Sequence, residues 1–248
     1  MHKILVFDLD GTLAQIGKGM LPADADKLIE LEQMGYKIAI CSGKSGFYLC
    51  GFARQLGLKE PILVGENGAT FQFGIDLPPK RYEVYPYGEK AKVQLEAMKI
   101  LLKQECKGKV WFQPNEVALT PFPQDEETFD IIQRLINERI DWLHELLIYR
   151  HIDCFDLIPK SINKYNGVRY LTKLMGGVRQ DVIAVGDGVN DIPMFEAADI
   201  AIGICKKDQS EELRKTITES TDYVFETIGE VLDFIRNEMS GKQIKLLD

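Results

Sequence analysis

In the first third of the chain, short apolar runs that end in acidic or glycine-containing turns alternate with stretches whose apolar residues recur every three or four positions. Residues Lys3 to Leu9 form the first run and predict a buried strand, since a short continuous apolar segment bounded by turn residues suits a sheet covered on both faces. Pro22 fits the first turn of a helix, which Leu28, Leu31, Glu32 and Met34 continue as far as Gly35, a suitable stop. Lys37 to Cys41 is a second strand, Phe47 to Leu56 a second helix closed by Gly57, and Ile62 to Val64 a third strand. Strands separated by helices imply right-handed crossovers and a parallel sheet.

The period changes near Ala69. Two alternating runs between Ala69 and Val84 flank a turn with Gly and Pro and predict a hairpin. Lys90 to Glu105 is helical, and Lys109 to Gln113 with Val117 to Thr120 predict a hairpin around Pro114-Asn115. Phe129, Ile132, Leu135, Ile136 and Ile140 share one helical face, and Leu146 to Arg150 and Cys154 to Ile158 read as strands. This ββ-α-ββ block predicts an inserted α+β domain over residues 87–159. After it the alternation resumes: a helix from Lys164 to Met175, a strand at Asp181 to Val185 and a helix through Phe195. A strand at Ile200 to Ile202, a helix near Leu213, a strand at Tyr223 to Phe225 and a C-terminal helix complete it. The expected fold class is α/β, a Rossmann-like parallel core built from residues 1–86 and 160–248 around the insertion.

A length of 248 residues suffices for such a core, and 45% apolar with 27% charged residues is ordinary for a soluble globular protein. The net charge of −8 argues against a nucleic-acid partner, which needs clustered Lys and Arg. It leaves room for a small anionic substrate, because a few converging cations and a metal ion set the field inside a site. No apolar run is long enough for a membrane span or a signal peptide. Five cysteines without a CxxC pair make no disulfide framework, and Cys41 and Cys205 read as buried thiols. The expectation is a cytoplasmic protein with no nucleic-acid or membrane partner, its oligomeric state open.

The candidate chemistry sits after the strands. Asp8-Leu9-Asp10-Gly11-Thr12 follows the first, Ser42-Gly43-Lys44 the second, and Gly186-Asp187-Gly188-Val189-Asn190-Asp191 the strand that ends at Val185, while Lys164 opens a helix. In an open parallel sheet the carboxyl ends of strands form the ligand crevice, so these distant residues are expected to converge. A lone Asp at a strand end is a turn or cap residue; Asp8, Asp10, Asp187 and Asp191 together would repel one another unless a hard divalent cation joined them. Lys164 is the candidate basic partner. Such a set points to phosphoryl transfer, with Asp8 as nucleophile and Asp10 passing protons. Gly11, the Ser42 hydroxyl and the Gly43 N–H would cradle the phosphate.

These segments resemble the four motifs of the haloacid dehalogenase superfamily of phosphatases, in order and across nearly the whole chain. The insertion, preceded by Glu66-Asn67-Gly68-Ala69, is similar in placement to the α+β cap (type C2B) of subclass IIB. The resemblance implies Mg²⁺ on Asp8, the Asp10 backbone carbonyl and Asp187, with Asp191 supporting it. It implies phosphate held by Gly11, Thr12, Ser42, Gly43 and Lys164, with Asn190 near it. Ser42-Gly43-Lys44 stands where the subclass often has Thr-Gly-Arg, and Tyr165 follows Lys164 where Gly is common; Lys160 and Lys173 are fallbacks for the cation. Substrate contacts in the cap are expected from Asp156, Arg150 or His151. The implied function is hydrolysis of a small phosphorylated metabolite, a sugar phosphate or a phosphoglycolate-like acid.

Two rivals stand beside that reading. Phe155-Asp156-Leu157-Ile158-Pro159 resembles a cap strand of phosphomannomutases, although Trp111 to Gln124 holds no Arg for a second phosphate. A silent binding module on the same fold is the other. Elsewhere the sequence reads as structure. Trp111 and Trp142 are expected in the cap core, and Asp125-Glu126-Glu127 at a helix N-terminus. Lys206-Lys207 reads as a solvated turn, and His2, His144 and His151 lack metal-ligand spacing.

Overall fold

The computed structural model describes residues 4–239, with side chains to residue 237, so His2 and Lys3 lie outside it. The chain divides into two compact units: one runs up to Glu83 and resumes at Lys164, the other is Val84–Asn163.

The first unit opens with β1 (Ile4–Phe7), α1 (Pro22–Gln33), β2 (Lys37–Cys41), α2 (Gly46–Leu56), β3 (Ile62–Gly65), β4 (Thr70–Phe73) and β5 (Arg81–Val84). The second contains α3 (Glu89–Glu105), β6 (Val110–Phe112), β7 (Pro121–Pro123), α4 (Glu126–Asn137), β8 (Leu146–Arg150) and β9 (Phe155–Pro159). The first resumes with α5 (Lys164–Leu174), β10 (Val182–Gly186), α6 (Ile192–Ala197), β11 (Ile200–Ile204), α7 (Glu211–Glu219), β12 (Tyr223–Phe225) and α8 (Ile228–Phe234).

The main sheet has the order β12-β11-β10-β1-β2-β3-β4-β5. Pairing is parallel from β12 through β3 and antiparallel between β3 and β4. All four residues of β1 are buried, as a central parallel strand requires. One face of the sheet sends Leu5, Phe7, Ile38, Ile40, Ile183 and Val185 into a core with Leu28 and Leu31 of α1, Leu49 of α2 and Val231 and Leu232 of α8. The helices α5 and α6 pack together, with α6 against β10 and β11. From β1 the strand order runs outward to β2 on one side and to β10 on the other. That reversal opens a crevice at the carboxyl ends of β1 and β10.

The second unit has its own core, in which Leu95, Met98 and Leu102 of α3 meet Ile132, Leu135 and Ile136 of α4 and Phe155 and Leu157 of β9. Asp125 caps α4 by accepting the Thr128 N–H at 2.8 Å. Three expectations fail here. Val117 to Thr120 is not the partner of β6: Trp111 pairs with Phe122, and Leu119 instead bridges to Leu157 of β9. Pro121 and Pro123 hid the true strand, since they lack N–H donors and usually mark a strand's end or edge. The helix stops at Asn137, leaving Ile140 exposed. Trp111 and Trp142 are 56% and 44% exposed rather than core; on β6 the alternation that turns Val110 and Phe112 toward the core turns Trp111 away.

Helix α5 passes so close to the turn after β3 that a Cβ on Gly167 would lie 2.6 Å from the Gly68 Cα. Gly167→Ala is therefore expected to destabilise the protein by about 1–3 kcal/mol through overpacking. Gly51→Ala, inside α2 with nothing within 4 Å, is expected to be neutral or stabilising. Thermal unfolding of both variants checks this; an unchanged midpoint for Gly167→Ala would mean that the contact is not tight.

Candidate active site

The register of the two central strands builds the site. Phe7 stands opposite Val185, and the Asp8 N–H donates to the Val185 carbonyl at 2.9 Å, so Asp8 leaves the sheet beside the start of the Gly186–Asp191 turn. That turn folds back on itself, because Asp191 Oδ2 accepts the N–H groups of Asp187 and Gly188, each at 3.0 Å. Asp191 is thereby fully buried, with Oδ1 turned toward Lys164. Lys164, the first residue of α5 and 3% exposed, sets its Nζ 2.6 Å from Asp8 Oδ1 and 2.6 Å from Asp191 Oδ1. Residues 156 and 27 positions apart are joined by one ammonium group.

Asp8, Asp187 and Asp191 each offer a carboxylate oxygen within 4.8 Å of the others. Burial pushes the Asp8 carboxyl up to about 7, against the pull of Lys164, and the neighbouring Asp191 and Asp187 add to the rise. Burial also raises Asp187, opposed first by Lys206. Lys164 loses hydration by burial, yet Asp8 and Asp191 hold its proton more tightly than usual. Three acids facing one buried ammonium leave an excess of negative charge, and the donors are all hard oxygens. That set fits a divalent cation of the Mg²⁺ type, and the Asp triad is where such an ion would be held.

Around this centre, Gly11 takes φ +95° and turns so tightly that a Cβ there would meet Asp187 Oδ2 at 2.2 Å. Only glycine fits that turn. The Thr12 hydroxyl donates to Asp187 Oδ1 at 3.1 Å, so its side chain fixes a carboxylate. Asp10 is part-exposed, its Oδ2 3.6 Å from Lys44 Nζ. Ser42 is buried at the end of β2, its Oγ accepting the Lys44 N–H at 3.3 Å. The loop bearing Ser42 and exposed Gly43 is tied to the turn after β3, with Asn67 N–H on the Ser42 carbonyl and Glu66 N–H on the Lys44 carbonyl, each 2.9 Å. Asn190 is exposed, its Oδ1 lying over Gly188.

The remaining candidates lie elsewhere. Lys173, two turns along α5 from Lys164, lines an exposed groove with Tyr165, Arg169 and Arg179, and Lys160 belongs to the second unit. In that unit Asp156 accepts the Thr120 hydroxyl at 2.6 Å and pairs with His151 at 3.1 Å; Thr120 also receives Asn115 Nδ2 at 3.0 Å. Arg150 stacks on Phe129, its guanidinium 5.0 Å from the ring centre. Lys206 is not a solvated turn residue: its Nζ donates to the Gly11 carbonyl at 2.5 Å and lies 3.8 Å from Asp187 Oδ2. Nothing local in the sequence marks that contact, whereas exposed Lys207 does pair at the surface, with Glu226. The five cysteines are buried and free, and among the described residues no helix is long and apolar enough to cross a membrane.

The chain is similar to known proteins over most of its length. The family model described as haloacid dehalogenase-like hydrolase matches residues 5–75 and 112–227. The phosphoglycolate phosphatase of Metallosphaera sedula is 30% identical, over 84% of this chain and 87% of its own; that of Nitrosopumilus maritimus is 27% identical, over 85% and 87%. The solved structure of a subclass IIB sugar phosphatase superposes with a TM-score of 0.64 at 20% identity, over 96% of this chain and all of its own. The matched segments and these relatives together establish that the chain belongs to the haloacid dehalogenase-like hydrolase family, as one of its phosphatases.

Proposed function

We propose that the protein hydrolyses a small phosphorylated metabolite of the cytoplasm, a phosphoglycolate-like acid or a sugar phosphate, through a phosphoryl group carried transiently by Asp8. The observation that carries this reading is the carboxylate set of Asp8, Asp187 and Asp191, with Lys164 wedged between the two that are buried, Asp8 and Asp191. The names of the relatives, phosphoglycolate phosphatases and a sugar phosphatase, support an ester of this kind.

The steps follow from the residues. An Asp8 oxygen attacks phosphorus, the ester P–O bond breaks, and Asp10 gives its proton to the departing alcohol oxygen. Asp10, now a carboxylate, takes a proton from water as the water oxygen attacks the phosphorus; the Asp8–phosphorus bond breaks and inorganic phosphate leaves. Asp10 suits this role because its side chain is part-exposed and lies two residues from Asp8. Lys164 orients the Asp8 carboxylate and compensates charge on the phosphoryl oxygens, and Ser42 with the N–H groups of Thr12 and Gly43 donates hydrogen bonds to them, in a loop whose turn Gly11 permits. Asn190, exposed beside this turn, completes that ring of donors. Asp8, the Asp10 carbonyl and Asp187, with Asp191 supporting them, would hold Mg²⁺, which would supply charge neutralisation of the transferring group. The second unit serves as the cap that selects the substrate, and Asp156, ordered by Thr120 and His151, is the residue assigned to that choice.

Turnover of a panel of phosphate esters, including phosphoglycolate and hexose phosphates, is expected to stop in excess EDTA and to return with Mg²⁺; undiminished turnover in the chelator would remove the metal from the account. Asp8→Asn is expected to abolish turnover with the fold intact by circular dichroism, and Asp10→Asn to lower kcat about 10²–10⁴-fold through lost proton transfer. Near-normal kcat in Asp8→Asn would instead indicate direct attack by water.

A further inference from the structure

Lys206 lies two residues beyond β11, on a loop with no place in the reaction steps above. Its ammonium reaches 195 positions back along the chain to the Gly11 carbonyl at 2.5 Å, and stands 3.8 Å from Asp187 Oδ2 with 27% of its side chain exposed. The loop that carries it is itself fastened. The Lys206 N–H donates to Gln209 Oε1 at 2.9 Å, Gln209 Nε2 reaches the Asp187 carbonyl at 3.4 Å, and the Cys205 N–H donates to Phe225 at 2.8 Å. Asp187 is thus gripped on both sides, by Thr12 on Oδ1 and by Lys206 near Oδ2.

We propose that Lys206 is a positioning residue, a cationic clamp that ties the Gly11 turn to Asp187 and so sets both the phosphate-binding N–H groups and the metal-ligating carboxylate. A neutral side chain of similar length would leave the Gly11 carbonyl without its charged donor and Asp187 without its nearest cation outside the buried centre. The turn's own backbone bonds are local, the Gly11 N–H closing on the Ala14 carbonyl at 2.7 Å and the Ala14 N–H on Leu9 at 3.0 Å, while Thr12 ties it to Asp187 and Lys206 is the charged donor that reaches the Gly11 carbonyl from outside it. Lys206 touches neither Asp8 nor Asp10 in any of these contacts. Its effect on the reaction is therefore indirect, and its catalytic consequence rests on the phosphatase reading above; the clamp itself does not.

Hydrogen exchange read by mass spectrometry tests the clamp in the whole protein without any substrate. In Lys206→Met the amides of residues 9–14 are expected to exchange about tenfold faster or more, with peptides of α8 and of the second unit unchanged. Lys206→Arg, which keeps charge and reach, is expected to restore most of the protection. On the ester that the panel identifies, kcat of Lys206→Met is expected to fall about ten- to a hundredfold, since small misplacements at a reacting centre cost that much, with KM within about threefold. Lys206→Arg would recover most of that kcat. Wild-type exchange in Lys206→Met overturns the proposal, as does a rise spread over the whole chain that Lys206→Arg does not reverse. If the wild-type chain hydrolyses no ester but the local exchange effect appears, the clamp stands and the phosphatase reading fails.

Discussion

The structure depends on keeping three carboxylates together, two of them buried and one half-buried. Asp8, Asp187 and Asp191 bring oxygens within 4.8 Å of one another, and at that distance each ionised pair repels by roughly 3–4 kcal/mol for an effective dielectric near 20. No apolar core tolerates such a set unless cations are supplied. Lys164 supplies one, buried between Asp8 and Asp191, and Lys206 stands 3.8 Å from Asp187, so the three carboxylates still outnumber the ammonium groups. A hard divalent cation would offset that excess and suits the all-oxygen donor set. The cluster is therefore suited to hold a hard cation, which would relieve its repulsion.

The fold delivers these groups by the simplest means available to a parallel sheet. Asp8 and the Asp187–Asp191 turn leave adjacent strands at the same end, where the strand order reverses. Ser42 leaves the next strand on one side and Lys206 the next on the other. Lys164 arrives at the head of α5, which is held close to the turn after β3 by the approach of Gly167 to Gly68. Rigid strand ends set the acids, while loops from the flanking strands supply donors and cations that adjust their charge.

Much of this was legible in the sequence because the signals are local. The apolar run before Asp8 and the run before Gly186 mark buried strands, and strand ends in such a sheet meet in space. Asp8, Asp187 and Asp191 do converge, and Lys164, an isolated letter in the sequence, bonds two of them. What escaped was set by partners far away in the chain. Lys206 looks like a surface residue until its carbonyl partner, 195 positions distant, is seen. Trp111 and Phe112 alternate in a strand so short that its pattern does not say which face is covered. The strand Pro121–Pro123 was concealed by the residue type that most often argues against a strand.

The central claim is that Asp8 carries the phosphoryl group, and trapping that group tests it most directly. Enzyme in excess would be mixed with Mg²⁺ and the preferred ester, radiolabelled in its phosphate, then quenched in acid within the first turnover and digested. The account predicts acid-stable, hydroxylamine-labile label on the one peptide that contains Asp8, appearing before free phosphate and decaying into it. Label on any other peptide, or rapid release of phosphate with no protein-bound label at any quench time, would contradict it.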